Sequence, residues 1–101
     1  MESMTLRQRI MAELEKASER ASMTARDLSK AIRISEKEVI AHMEHVAKSL
    51  KPPKRLIIEP SICNKCGFAF SNRRRFSSPS RCPHCRHEGI NPPAFKIIAI
   101  D

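Results

Sequence analysis

Cys63-Asn64-Lys65-Cys66-Gly67 and, farther along, Cys82-Pro83-His84-Cys85 contain all four cysteines of this 101-residue chain. Fifteen residues, 67–81, separate the two pairs. A two-residue gap lets one tight turn, a knuckle, aim both sulfurs at a single ion. Two knuckles supply four thiolates, which satisfy a tetrahedral Zn2+ and leave no position open for a substrate water. The spacing therefore predicts a closed, structural metal site with Cys63, Cys66, Cys82 and Cys85 as its ligands. A closed site argues for a folded binding module and against metal catalysis.

Two other uses of the cysteines compete with this one. Residues 1–20 carry charges throughout and lack an apolar h-region, so no signal peptide is expected. An intracellular chain keeps its thiols reduced, which disfavours disulfides. The second pair alone looks like the active-site tetrad of thioredoxin-fold oxidases. That use needs a βαβ context and leaves Cys63 and Cys66 unexplained. Gly67 can take the positive φ that the end of a knuckle needs. The knuckles resemble those of rubredoxin, whose metal is iron, except that Arg86 stands where rubredoxin's second knuckle has glycine. Zinc is the expected ion for an intracellular four-cysteine ribbon, and iron is the alternative. Four cysteines complete the site, so His84 and His87 are expected at the surface or behind the ligands.

The length gives one domain, or one small domain carrying a smaller insert. There is no Trp or Tyr, and the four Phe all follow residue 67, so the core is thin and a metal staple helps offset that. The longest apolar runs, Leu56-Ile57-Ile58 and Ile97-Ile98-Ala99-Ile100, fall far short of a membrane span. The expectation is a soluble, cytoplasmic protein that uses no membrane. The net charge of +8 is unevenly placed. Residues 1–50 hold nine Lys/Arg against eight Asp/Glu, whereas residues 51–101 hold ten against three. Positive charge concentrated in the metal-bearing half suggests a polyanionic partner, most simply nucleic acid.

Upstream of the cysteines, capping signals announce three helices. Thr5 with Gln8 reads as a capping box, followed by Leu6, Ile10, Leu14 and Ala17 at helical spacing, with fraying between Glu15 and Ala21. Thr24 with Asp27 opens a second, short helix, with Met23 stapled onto Leu28 and with Leu28, Ala31 and Ile32 facing inward. Ser35 with Glu38 opens a third helix at Glu36, with Ile34 stapled onto Val39; its inner face carries Val39, Met43, Val46 and Leu50. Lys51-Pro52-Pro53 ends it, because proline cannot continue the ladder. Two helices joined by the short turn Arg33-Ile34, after a supporting helix, form a helix-turn-helix pattern. His42 and His45 are expected on the helix surface.

Residues 54–60 and 94–100 read as β-strands, rich in β-branched residues and bounded by prolines. Their simplest pairing is an antiparallel hairpin behind the helices. The cysteine segment then occupies the hairpin's tip, where a wing would be. The predicted fold is α+β: a winged helix-turn-helix over residues 5–59 and 94–101, with a four-cysteine zinc ribbon inserted over residues 60–93. Within the ribbon, Phe68, Phe70 and Phe76 are expected to form a small core, with base stacking as the alternative. Ser77-Ser78-Pro79-Ser80 reads as a loop.

These parts in this order resemble a small prokaryotic, chiefly archaeal, family of predicted transcriptional regulators: winged helices with a rubredoxin-like zinc ribbon in the wing. The resemblance runs from Thr5 to Asp101. It is carried by the helix-turn-helix from Thr24 to Leu50, the two knuckles, and the strands Leu56–Glu59 and Phe95–Ile100. It implies binding to double-stranded DNA. In such a motif the second helix enters the major groove. The positions opposite its buried face are Lys37, Ala41, Glu44 and Lys48, flanked by Glu38 and His45, and Ser35 with the helix N-terminus is placed for a phosphate. Glu36, Glu38 and Glu44 work against that use, although acids in the first turn also favour the helix dipole. In the ribbon, Arg73, Arg74, Arg75 and Arg81 suit phosphate or a narrow minor groove.

The expected function is a DNA-binding transcriptional regulator. No enzyme signature is present: there is no phosphate loop, activated nucleophile or open metal site. The alternatives are an adaptor on RNA polymerase or another transcription protein, an RNA-binding zinc-ribbon protein, and a redox or metal sensor. Many helix-turn-helix proteins dimerise to read paired half-sites, so a homodimer is one expected state, although no dedicated dimer helix is evident.

Overall fold

The computed structural model describes residues 5–17, 22–71 and 75–99. Its elements are α1 (Leu6–Ala17), β1 (Met23–Thr24), α2 (Ala25–Ile32), α3 (Glu36–Ser49), β2 (Lys54–Glu59), β3 (Ile62–Cys63), β4 (Ile90–Asn91) and β5 (Ala94–Ala99). Among the described residues the fold is mixed α+β, with three helices and antiparallel sheets. No described helix is long and apolar enough to cross a membrane.

All three predicted capping boxes form. The Thr5 amide donates to Gln8 Oε1 at 2.9 Å, and the Gln8 amide donates to Thr5 Oγ1 at 3.1 Å. Thr24 and Asp27 repeat the exchange at 3.0 and 3.1 Å, and Ser35 and Glu38 repeat it at 3.3 and 3.1 Å. Each box satisfies amides that the first helical turn leaves without partners, and losing such a cap costs about 1 kcal/mol. Between α2 and α3 the chain reverses at Arg33, whose φ of 59° is left-handed. Ser29 organises this turn. Its carbonyl accepts the Arg33 and Ile34 amides, and its hydroxyl donates to the Ile34 carbonyl.

The core joins one stripe from each helix to one face of β5. It contains Ile10 and Leu14 of α1, Ala25, Leu28 and Ile32 of α2, Val39, Met43 and Val46 of α3, and Phe95 and Ile97. Truncating one of the large members to alanine should cost ~2–5 kcal/mol. Two burial assignments change. Ala31 is exposed, and Ala25 takes the expected place, because positions 25, 28 and 32 share one stripe and 31 falls beside it. His42 is half-buried rather than on the surface, and its Nδ1 is enclosed with no partner among the described residues.

The two long strands pair antiparallel as expected, from Lys54↔Ala99 to Glu59↔Ala94. β5 is the central strand of the order β1-β5-β2, because Met23 and Thr24 pair with Phe95 and Ala94 on its other edge. Ile100 and Asp101 lie outside the described residues, as do the arginines at 73 and 74. Phe76 departs from the expected ribbon core. It packs on the helical core, its ring 5.6 Å from Phe95 at 65°. A residue from between the knuckles thus ties the cysteine segment to the helices.

Candidate metal centre

Each knuckle is built by the same two backbone bonds. The Cys63 amide donates to the Phe68 carbonyl at 2.9 Å, and the Gly67 amide donates to the Cys63 carbonyl at 3.0 Å. In the second knuckle the Cys82 amide donates to the His87 carbonyl at 2.9 Å, and the Arg86 amide to the Cys82 carbonyl at 2.8 Å. Gly67 and Arg86 therefore stand at equivalent positions, and both are left-handed, with φ of 78° and 63°. Arg86 adopts the glycine conformation without being glycine. The knuckles are joined by the β3–β4 pair and by the Asn64 amide, which donates to the Gly89 carbonyl at 2.9 Å. Neither two-residue strand carries a periodic sequence signal, which is why neither was expected.

These turns bring the four sulfurs together. Cys63 Sγ lies 3.5 Å from Cys85 Sγ, Cys66 Sγ lies 3.6 Å from Cys82 Sγ, and all four are within 4.8 Å of one another. A disulfide needs about 2.05 Å, and all four cysteines are free thiols. A tetrahedron with metal–sulfur bonds of about 2.3 Å has edges of roughly 3.8 Å. The cluster is thus sized for one metal ion, and its all-sulfur donor set suits Zn2+ or iron alike. Cys63 and Cys82 are buried, Cys85 is half-buried and Cys66 is exposed.

The thiols are electrostatically unequal. The Cys66 amide, followed by the weaker pull of the Lys65 amide, lowers Cys63 to about 6 against the opposing effect of burial. At Cys66 the Phe68 amide also pulls downward. Desolvation of its sulfur within the cluster and the neighbouring thiols of Cys85, Cys82 and Cys63 outweigh it, leaving Cys66 at about 12. Crowding four thiols makes full ionisation unfavourable until a cation neutralises them, so metal uptake must expel protons.

The remaining sequence-predicted residues fall into two groups. On α3, Lys37, Ala41, His45 and Lys48 are all exposed. Ser35 is the N-cap, its hydroxyl oxygen already accepting the Glu38 amide. On the ribbon, Arg75 is exposed, and Arg81 is exposed with Glu88 at 3.5 Å. Arg75 and Lys48 line the same cleft, of about 490 Å3, together with Ile40, Glu44, Ala47, Phe76 and Ser77. Sequence reasoning treated α3 and the ribbon loop as separate candidates. Phe76 lines that cleft too, a contact between parts distant in sequence that no local pattern announces. His84 and His87 are both exposed and outside the four-sulfur cluster.

A family described as PF0610-like, N-terminal, matches residues 5–57. A PF0610 rubredoxin-like zinc beta-ribbon domain matches residues 60–99. Among solved structures, the chain is similar to the solution NMR structure of protein PF0610 from Pyrococcus furiosus. That match has 29% sequence identity and a TM-score of 0.73, and covers 97% of this chain and 92% of the other. No curated protein matches the chain.

Proposed function

We infer that this chain, which belongs to the PF0610-like family, is a DNA-binding transcriptional regulator. In this reading residues 5–59 and 94–101 form a winged helix-turn-helix, and residues 60–93 form a zinc ribbon in its wing. The observation that carries the reading is the shared cleft of Lys48 and Arg75. A duplex laid along α3 would meet Arg75 of the ribbon at the same time. Contacts from both would add, and each neutralised phosphate adds affinity by releasing counterions.

The acidic residues of α3 are less of an obstacle than their number suggests. Glu38 holds the Ser35 amide as part of the capping box. Glu36 lies in the first turn, where a negative charge favours the helix dipole. Only Glu44 of the three lines the cleft. Zinc is the proposed resident ion, held by Cys63, Cys66, Cys82 and Cys85. It would cross-link the knuckles and fix the ribbon's shape, with no chemical step of its own. The protein acts by binding rather than by catalysis, in the cytoplasm, where thiols stay reduced.

The test is binding of zinc-loaded protein to mixed-sequence duplex DNA across a salt series, beside the Arg73/Arg74/Arg75→Ala triple variant. Each phosphate contact contributes about −0.9 to the slope of log K against log salt. The slope should shrink by roughly two to three units in the variant. Absence of duplex binding at low salt would overturn the reading and turn attention to a transcription-protein partner at Glu44.

A further inference from the structure

Among the described residues, the large hydrophobic side chains left exposed are Ile62 and Phe68, and both lie on the ribbon. Phe68 is 36% exposed. Its ring meets Phe70 edge-on, at 5.1 Å and 88°, and lies parallel to the His84 imidazole, at 6.3 Å and 8°. A perpendicular Phe70 covers at most one face of Phe68. Neither ring hangs on a loose loop. The Phe68 carbonyl accepts the Cys63 amide, and His84 falls between the ligands Cys82 and Cys85. The two knuckles thus hold two aligned, flat, exposed rings.

Two cations lie close to these rings in sequence, each within three residues of one of them. Lys65 belongs to the first knuckle and Arg86 to the end of the second. Both are exposed, and neither forms an ion pair among the described residues. Residues 60–93 carry six Lys/Arg against a single acid, Glu88. A pre-organised aromatic surface with positive charge beside it is the chemistry that holds single strands: rings stack on bases while cations follow the phosphates. A duplex cannot use such a shelf, because its base faces are covered by neighbouring bases. The duplex-binding surface proposed above, at Lys48 and Arg75, does not include Phe68 or His84.

We propose that Phe68 and His84 form a stacking site for an unpaired nucleobase, with Lys65 and Arg86 contacting the adjoining phosphates. The site accepts any base, because every base has a π-face. The proposal rests on the nucleic-acid reading for the sign of the partner's charge. It adds a second kind of substrate: a strand that is melted, looped or never paired.

The chain has no Trp and no Tyr, so a fluorescent base analogue can be followed with little protein background. Zinc-loaded protein is titrated into short single-stranded DNA, single-stranded RNA and duplex DNA, each carrying 2-aminopurine. Quenching is expected on the single strands. Phe68→Leu keeps apolar bulk but removes the flat ring. It should weaken single-strand binding about 10-fold or more while changing duplex binding by less than about twofold. His84→Ala should act in the same direction. Zinc content measured on each variant shows that the ribbon is still assembled. The DNA and RNA arms identify the strand's source. An unchanged single-strand affinity for Phe68→Leu overturns the proposal, and so does an equal loss on single strand and duplex. Phe68-dependent single-strand binding without duplex binding would support the shelf and sink the regulator reading. Duplex binding without quenching would do the reverse.

Discussion

Replacing Arg86 with glycine should tighten the metal site. Arg86 holds φ at 63° in the second knuckle, where the first knuckle has Gly67 at 78°. A side chain in this left-handed region costs about 1–2 kcal/mol. Glycine offsets part of that gain, about 0.5–1 kcal/mol, through its greater freedom in the unfolded chain. The net stabilisation is then about 0.5–1 kcal/mol. Ordering of the ribbon and capture of the metal are one equilibrium, so the gain should appear as roughly 2- to 5-fold tighter metal binding. The assay is competition for Zn2+ against a chromophoric chelator. Arg86→Ala removes the charge but keeps the Cβ, so it should not reproduce the gain. Gly67→Ala gives the opposite test. A Cβ there meets no atom within 4 Å, so crowding is absent and only backbone strain acts. It should weaken binding by a similar factor. Equal or weaker binding by Arg86→Gly, or a neutral Gly67→Ala, would refute the strain argument.

Two other outcomes follow from the packing and the thiols. Phe76→Ala removes a half-buried ring from Phe95 and should lower the stability seen in urea unfolding by about 1–2 kcal/mol, with metal content unchanged; an unaltered midpoint would show that the ring does not tie ribbon to helices. In metal-free protein, ultraviolet thiolate absorbance should show a first ionisation near pH 6, from Cys63, with Cys66 still protonated until about pH 12. The signs are opposite: the lowered Cys63 stabilises the fold above its ordinary 9.0 and loses that contribution as pH falls through about 6. Cys66 contributes below 9.0 and loses its contribution as pH rises toward 12. A first ionisation near 9 would refute this ordering.

Local signals in the sequence were reliable where one short stretch decides the structure. The pairs Thr24/Asp27 and Ser35/Glu38 fix helix starts through their own hydrogen bonds, so residue type and spacing suffice. The cysteine spacing likewise fixed the metal cluster. What was missed depends on contacts distant in sequence. β1 exists only because Met23 and Thr24 meet Phe95 and Ala94. Phe76 looked like a ribbon residue because its neighbours in sequence are ribbon residues, yet its partner is Phe95. Phe68 looked like core material, but so small a ribbon cannot enclose it. Arg86 carries no residue-type signal for positive φ; only its position four residues after Cys82, matching Gly67 after Cys63, marks it.

The strand register has an architectural consequence. Glu59 and Ala94 face each other across β2 and β5, so the chain leaves the sheet and re-enters it at neighbouring positions. Inside the excursion, Ile62 pairs with Asn91, so the excursion's own ends also meet. Two hairpins are thus joined end to end through a seam of Pro60, Pro92 and Pro93, residues that cannot donate to a continuous ladder. A joint of this kind makes the tip interchangeable. A short turn, a longer loop or a different mini-domain could be fitted between Glu59 and Ala94 without altering any pairing below it. Lengthening such a closure costs only slowly growing entropy. The sheet acts as a socket, and what is plugged into it can diversify as long as it replaces the apolar cover that Phe76 lays on Phe95.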